Sequence, residues 1–127
     1  MNVTALLAAA LGKVVIYSAD ANGRPNSLLL ETGTLDFSIA GVRTVAAAVT
    51  LRRGTIYWLG IRHSSTTTLS AWASTATPDL NGGAPVTTVR KVLRRTLAFA
   101  SAASASWVYS AAETAVGPAT AIWLRAA

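Results

Sequence analysis

Residues 14–30 read VVIYSADANGRPNSLLL and contain two apolar segments separated by turn-forming residues. The first segment, residues 13–18, is dense in β-branched and aromatic residues, which are typical of a half-buried strand. Residues 20–26 contain an Asn-Gly pair, which tolerates positive φ, and Pro25, which cannot donate a backbone hydrogen bond. The chain is therefore expected to turn there and to return as a second strand within residues 27–35.

Further short strands are predicted along the rest of the chain. A period of two residues predicts a strand over residues 42–51. Residues 55–61 (TIYWLGI) have the strongest strand-forming character, which predicts a central strand. Weaker signals predict strands at residues 66–73, 107–109 and 121–125, and the Pro-, Gly- and Asn-containing residues 75–85 are expected to form a loop.

The basic segment that follows this loop has two interpretations. Apolar residues fall at helical spacing within residues 89–100, and the opposite face of that helix would carry Arg90, Lys91, Arg94 and Arg95. Residues 96–100 also alternate as a strand would, and the flanking segments are predicted strands. We favour a turn or short helix followed by a strand, while a basic amphipathic helix stays open.

Length and composition indicate a single folded domain over residues 1–127. Hydrophobic residues make up 52% of the chain and charged residues 13%, which suits a buried core better than intrinsic disorder. The chain has no cysteine, which excludes disulfides, thiolate metal sites and catalytic thiols. The apolar run at residues 5–11 is far shorter than the roughly 20 residues of a membrane-spanning helix, so no membrane insertion is expected.

The number of short strands decides the expected fold class. Strands joined by Gly, Pro and Asn turns, without regular alternation of helix and strand, indicate an all-β protein. The expected architecture is an antiparallel β-sandwich, jelly-roll-like, with about seven to eight short strands.

Residues that carry catalysis in other proteins are few here and scattered. His63 is the only histidine, and the five carboxylates form no suggestive pair. A Ser-His-Asp triad, a glycosidase carboxylate pair and a metal site each need groups that this spacing does not supply. Asp20 precedes an Asn-Gly pair, which is more typical of a structural turn than of a calcium loop. We therefore expect a protein that is not an enzyme and that uses no cofactor or metal.

The order of these motifs resembles a β-sandwich module found in fibres, spikes and decoration proteins of tailed-phage and prophage-like particles. In that module a strand ending in Ile-Tyr precedes an Asp-x-Asn-Gly-x-Pro turn, a leucine-rich strand, a Gly-Val segment and a strand with Gly before Tyr-Trp-Leu. The matching elements are Ile16-Tyr17, residues 20–25, residues 28–30, Gly41-Val42 and residues 54–59. Residues 121–125 (AIWLR) are similar to its closing strand.

The resemblance implies a structural component of the virion, assembled in the host cytoplasm. It implies a homo-oligomer, with a trimer as the expected form, that also contacts other virion proteins. Family members usually carry strands before the Ile-Tyr strand, whereas this chain has only residues 1–12 there. Those residues either complete this domain or form an arm that packs on a neighbouring chain.

Two sets of residues are candidates for binding. An aromatic face beside polar side chains suits a host-surface polysaccharide, and the glycan-binding candidates are Trp72, Asp79 and Asn81. A free carbohydrate-binding module or lectin is the alternative function.

The formal net charge of +6 favours acidic partners, and the contact candidates are Arg90, Lys91, Arg94 and Arg95. Nucleic-acid binding is the less favoured of these hypotheses because the total charge is low, and it predicts an affinity that falls steeply with salt.

Overall fold

The computed structural model describes residues 2–5, 8–65, 68–69, 90–116, 120, 122, 124 and 125. The regular secondary structure of this part of the chain is almost all β-strand, with one short 3-10 turn, Ala111–Glu113. The strands are β1 (Asn2–Ala5), β2 (Leu11–Ala19), β3 (Pro25–Glu31), β4 (Leu35–Asp36), β5 (Gly41–Val42), β6 (Tyr57–His63), β7 (Thr68–Leu69), β8 (Arg90–Leu93) and β9 (Thr114–Val116). All their pairings are antiparallel, so the described chain is all-β, as the sequence predicts.

β2 lies at the centre of the largest sheet. β6 pairs with it from Gly12 to Ser18, so β3 and β4 occupy its other edge. The sequence predicts a strand at residues 55–61, which β6 confirms, but its expected central position is wrong among the described residues. The centre is β2, which pairs on both edges and is buried at residues 14–17.

Side chains on the two faces of β2 belong to two different cores. Val14 packs with Phe37, Leu35 and Val3 on one face. Consecutive residues of a strand point to opposite faces, so the neighbouring Val15 packs on the other face, in a cluster that contains Tyr17. The run of apolar residues at the start of β2 is therefore buried on both sides.

The predicted turn between the first two strands is present at residues 20–24. Asp20 Oδ1 accepts hydrogen bonds from the backbone N–H groups of Asn22 and Arg24, each at 2.8 Å. Gly23 has φ of 75°, a conformation that side chains with a Cβ rarely adopt. Trp58 of β6 donates its indole N–H to the Gly23 carbonyl at 2.9 Å. The turn is thus fixed by its own carboxylate and by the neighbouring strand, which supports the interpretation of Asp20 as a structural residue.

The strand predicted over residues 42–51 is wrong beyond its first residue. β5 ends at Val42, and residues 43–56 pair with none of the described strands. The alternating sequence is compatible with a strand, but a ladder forms only where a second strand edge lies within hydrogen-bonding distance.

For the basic segment, the structure shows neither the favoured turn or short helix followed by a strand nor the basic amphipathic helix where it describes these residues. Residues Arg90–Leu93 form β8, which pairs with β9. The strand predicted over residues 96–100 is absent, since residues 94–98 have no strand conformation. Periodicity could not separate these outcomes because an apolar run this short fits both repeats, and the partner strand β9 was not predicted.

Three weaker strand predictions have mixed outcomes. Of residues 66–73, the structure describes only β7, and the predicted loop at 75–85 lies outside the described residues. Residues 107–109 are not a strand, although Ser106 forms an isolated bridge with Ser27. Residues 121–125 are described only at 122, 124 and 125, which are not in a strand.

The first residues of the chain pair within this chain. β1 pairs with β5 through Asn2 and Val3, and with β7 through Val3 and Ala5. Val3 is 1% exposed and packs in the Phe37 cluster. In this chain, therefore, residues 2–5 contribute a strand to their own domain.

Candidate functional site

Glu31 lies at the centre of a charged cluster on the main sheet. It ends β3, and its Oε1 accepts a hydrogen bond from Arg62 of β6 and lies 3.6 Å from Lys13 Nζ of β2. Its Oε2 accepts the backbone N–H of Ala103 at 2.9 Å. Three neighbouring strands thus meet at one carboxylate, which we call the Glu31 cluster.

The Glu31 cluster fastens a connecting segment to the sheet. Arg62 Nη2 donates to the carbonyl oxygens of Ala98 and Ser101 at 2.9 and 2.8 Å. Lys13 Nζ lies 5.5 Å from the centre of the Phe99 ring, within range of a cation–π interaction. Arg62, Lys13 and Glu31 therefore all have partners within this chain. In this structure, their contacts hold residues 98–103 against the sheet.

Burial and the neighbouring groups have opposite effects on the pKa of Glu31. Burial raises the pKa of this carboxyl, but the hydrogen bond from Ala103 and the guanidinium of Arg62 outweigh burial and hold the pKa below its ordinary value of 4.5. The carboxylate is therefore charged at neutral pH.

A second internal cluster contains Arg95, one of the four predicted partner-contact cations. Its Nε lies 2.6 Å from Glu113 Oε1, and its Nη2 donates to the Val108 carbonyl at 2.8 Å. Its guanidinium also lies 4.5 Å from the centre of the Trp107 ring, and the indole N–H of Trp107 donates to Glu113 Oε2 at 2.8 Å. An acidic partner would have to compete with these contacts.

The other three cations do not share a helical face with Arg95, because that helix is absent. Arg90 and Lys91 are in β8, and Arg94 follows it with an exposed side chain. The backbone N–H of Arg94 donates to the Glu113 carbonyl at 2.7 Å. Their contact with an acidic partner stays a prediction.

Aromatic side chains gather around Tyr17 on the second face of the sheet. Its ring meets Trp107 edge to face at 5.3 Å, and its hydroxyl donates to the Ser104 carbonyl at 2.9 Å. Burial raises the pKa of Tyr17, although Arg95 and Arg62 oppose that effect. Arg24 lies over the Tyr109 ring at 4.6 Å, as Arg95 does over the Trp107 ring. Each of these two rings therefore has an arginine against one face.

The predicted glycan-binding residues, Trp72, Asp79 and Asn81, lie outside the described residues. Their role stays a prediction.

His63 is exposed, and its Nδ1 lies 2.9 Å from the Ser65 carbonyl oxygen. Among the described residues, no group of three His, Cys, Asp or Glu side chains is placed to hold a metal ion. The same part of the chain has no helix that is long and apolar enough to cross a membrane.

Residues 43–56, which connect β5 to β6, are mostly exposed, and we call them the connecting arm. Val45 packs against the Phe37 cluster, but most of the arm is exposed. Large apolar side chains before the arm and at its end face solvent: Ile39 is 55% exposed, and Val42, just before the arm, and Ile56, its last residue, are each 61% exposed. This arrangement suits contact with another protein surface better than chemistry on a small molecule.

Sequence analysis missed the Glu31 cluster. The sequence does contain a weak signal for this cluster. Lys13 precedes the apolar run before the turn, and Glu31 follows the apolar run after the turn. An antiparallel hairpin brings such flanking charges together, but Arg62 joins them from a strand far along the chain.

No family model, no curated protein and no solved structure matches this chain.

Proposed function

We propose that the chain is a non-enzymatic structural protein of a phage-like particle that acts by self-association and attachment to other virion proteins. The observation that carries the self-association is the connecting arm, which pairs with no described strand and has exposed Val42 just before it and exposed Ile56 at its end. Large apolar side chains left in water at the ends of such an exposed segment are what a subunit interface would cover.

The proposed architecture is an antiparallel β-sandwich with jelly-roll-like connections. Val3 of the β5-β1-β7 sheet and Val14 of the main sheet belong to one buried cluster, which supports packing of one sheet on the other. The virion assignment comes from the motif order at residues 14–61, which resembles the phage-particle module. Contact with a host-surface polysaccharide through Trp72 belongs to the same proposal.

Self-association is tested by light scattering of the purified chain across a dilution series, with circular dichroism on the same samples. We expect an assembly larger than a monomer, a trimer by the family resemblance, with a β-type spectrum. A folded monomer at every concentration contradicts this part of the proposal.

Particle association needs a separate test. An antibody against the purified protein would be used to follow the chain through a density gradient of particles released from the producing cells. We expect the chain in the particle fractions at a fixed ratio to the major capsid protein. If the particles sediment without it, the virion assignment is wrong, whatever the oligomeric state.

A further inference from the structure

The connecting arm ends in a turn that presents two adjacent arginines to solvent. Arg52 and Arg53 begin a run of exposed residues, 52–56, and Gly54 has φ of 79°, the left-handed conformation of a tight turn. The Thr55 N–H donates to the Arg52 carbonyl at 3.3 Å, which closes the turn around the bond between Arg53 and Gly54. Exposed loop tips of this kind are preferred sites at which endopeptidases cut folded proteins.

The two arginine side chains of this turn are unbound. Among the described residues, neither guanidinium has a hydrogen-bond or ion-pair partner. The other pair of adjacent arginines, Arg94 and Arg95, differs, because Arg95 binds Glu113 and lies over the Trp107 ring. An endopeptidase of the trypsin class holds the arginine before the cut bond against a carboxylate in its specificity pocket. Of the two pairs, only the first can offer both guanidiniums to such a pocket without breaking an internal contact.

Little structure has to open before this turn can enter an active site. Two described hydrogen bonds fix the turn: the one that closes it, and one from the Arg52 N–H to the Tyr57 hydroxyl at 2.9 Å. Neither belongs to a strand ladder. A cut within β2 or β6 would instead require opening the longest ladder that the structure describes. Local opening of the turn therefore costs less free energy than opening of the sheet.

The other cations limit where an enzyme of this class can cut. Residues 64–89 contain no lysine or arginine. Arg24 is followed by Pro25, whose ring removes the backbone N–H at that bond and restricts the residue before it. Arg43 is half-buried and donates to the Ala40 carbonyl. Four further cations lie in paired strands: Lys13, Arg62, Arg90 and Lys91.

We propose that the connecting arm is a cleavage site for an endopeptidase of the trypsin class, which cuts between Arg53 and Gly54 and leaves the domain folded. One water molecule adds across the peptide C–N bond: its oxygen completes the carboxylate of Arg53, and Gly54 becomes an amino terminus. The two fragments, 1–53 and 54–127, stay joined because β2 pairs with β6, and β1 with β7, across the cut. The cut thus releases the arm at one point without opening the sheet.

Limited digestion of the folded full chain with trypsin tests the site, with the fragments identified by intact-mass spectrometry. We expect residues 1–53 and 54–127 as the first products, formed at least about tenfold faster than any other internal fragment. They should elute together from a native size-exclusion column and separate only in denaturant. A cut at Arg125, which is also exposed, removes only residues 126–127 and leaves this comparison unaffected.

Three variants show whether the arginine pair determines the cut. R52Q/R53Q should lose the first cut, whereas R52K/R53K should keep it because trypsin also accepts lysine. The control R24Q/R94Q makes the same charge change as R52Q/R53Q at two exposed arginines elsewhere and should keep the cut. Circular dichroism verifies that each variant is folded. If R52Q/R53Q still yields fragments that end at residue 53, or if the control loses them, the arginine pair does not define the site.

The digestion also separates this site from the proposed self-association. At the lowest concentration of a dilution series, a first cut at another bond, or simultaneous cuts at many cations, overturns the cleavage site. A first cut at Arg53 that slows as the chain assembles supports both the site and an interface that covers the arm. Equal rates for monomer and oligomer contradict that interface and leave the cleavage site standing.

Discussion

The ring of Phe37 lies against the backbone of Gly12, in the space that a Cβ atom at that position would occupy. An added Cβ would overlap with the Cε2 and Cζ atoms of the ring and would stand 2.8 Å from Cε1. Phe37 is fully buried, so the ring has no open space into which it can move. Gly12 is therefore required by close packing at the place where β2 pairs with both β4 and β6.

Replacing Gly12 by alanine is expected to lower the free energy of unfolding by about 3 kcal/mol, near the upper end of the range for overpacked cores. Chemical denaturation followed by circular dichroism measures the change. Gly33→Ala is the matched control, because its Cβ would meet no atom within 4 Å and its φ is not positive. We expect that variant to stay within about 0.5 kcal/mol of the original chain. Equal losses in the two variants would contradict the packing argument.

The contact between Glu31 and Arg62 is expected to appear as an energetic coupling between β3 and β6. Glu31→Ala leaves the guanidinium of Arg62 without its carboxylate, and Arg62→Ala leaves Glu31 with Lys13 and Ala103. Each single variant is expected to lose about 1–3 kcal/mol of unfolding free energy. The double variant should lose less than the sum, with a coupling of at least about 0.5 kcal/mol. Additive losses would mean that the two side chains act independently.

Stability should fall in acid, and Glu31 should account for part of the loss. Its pKa is held below the ordinary value of 4.5 in the folded state. A carboxyl with a depressed folded pKa contributes stability that is fully present above its unfolded pKa and is lost as pH falls through the folded pKa. Urea denaturation from about pH 6 to pH 3 should therefore show a decline that is shallower for Glu31→Gln. Parallel curves for the two proteins would show that Glu31 does not contribute.

The main hairpin could be predicted from sequence because its information is local. β-branched residues, an Asn-Gly pair and Pro25 lie within a few positions of one another, and the turn at residues 20–24 is fixed mostly by Asp20 and Gly23. The strand at residues 55–61 could be predicted for the same reason, because the composition of this segment alone indicates a strand.

The remaining errors concern elements that depend on distant partners. Residues 42–51 alternate as a strand would, and residues 89–100 have repeats that fit a strand or a helix, but the outcome was decided by which segment lies alongside. β8 is a strand because β9 pairs with it, and the arm after Val42 is unpaired because no described strand edge reaches it. The Glu31 cluster was missed for the same reason, since it joins residues that are far apart in sequence.

Arg95 and Arg94 are adjacent arginines whose replacement should have different effects. Both residues are exposed, but Arg95 binds Glu113, covers the Trp107 ring and donates to the Val108 carbonyl, whereas Arg94 donates its backbone N–H to the Glu113 carbonyl. Arg95→Ala removes these contacts and leaves the Glu113 carboxylate with Trp107 as its side-chain partner, so we expect a loss of about 1 kcal/mol. Arg94→Ala should stay within about 0.5 kcal/mol. Urea denaturation followed by tryptophan fluorescence measures both. If both variants lose stability equally, the general charge of this segment matters and the specific contacts of Arg95 do not.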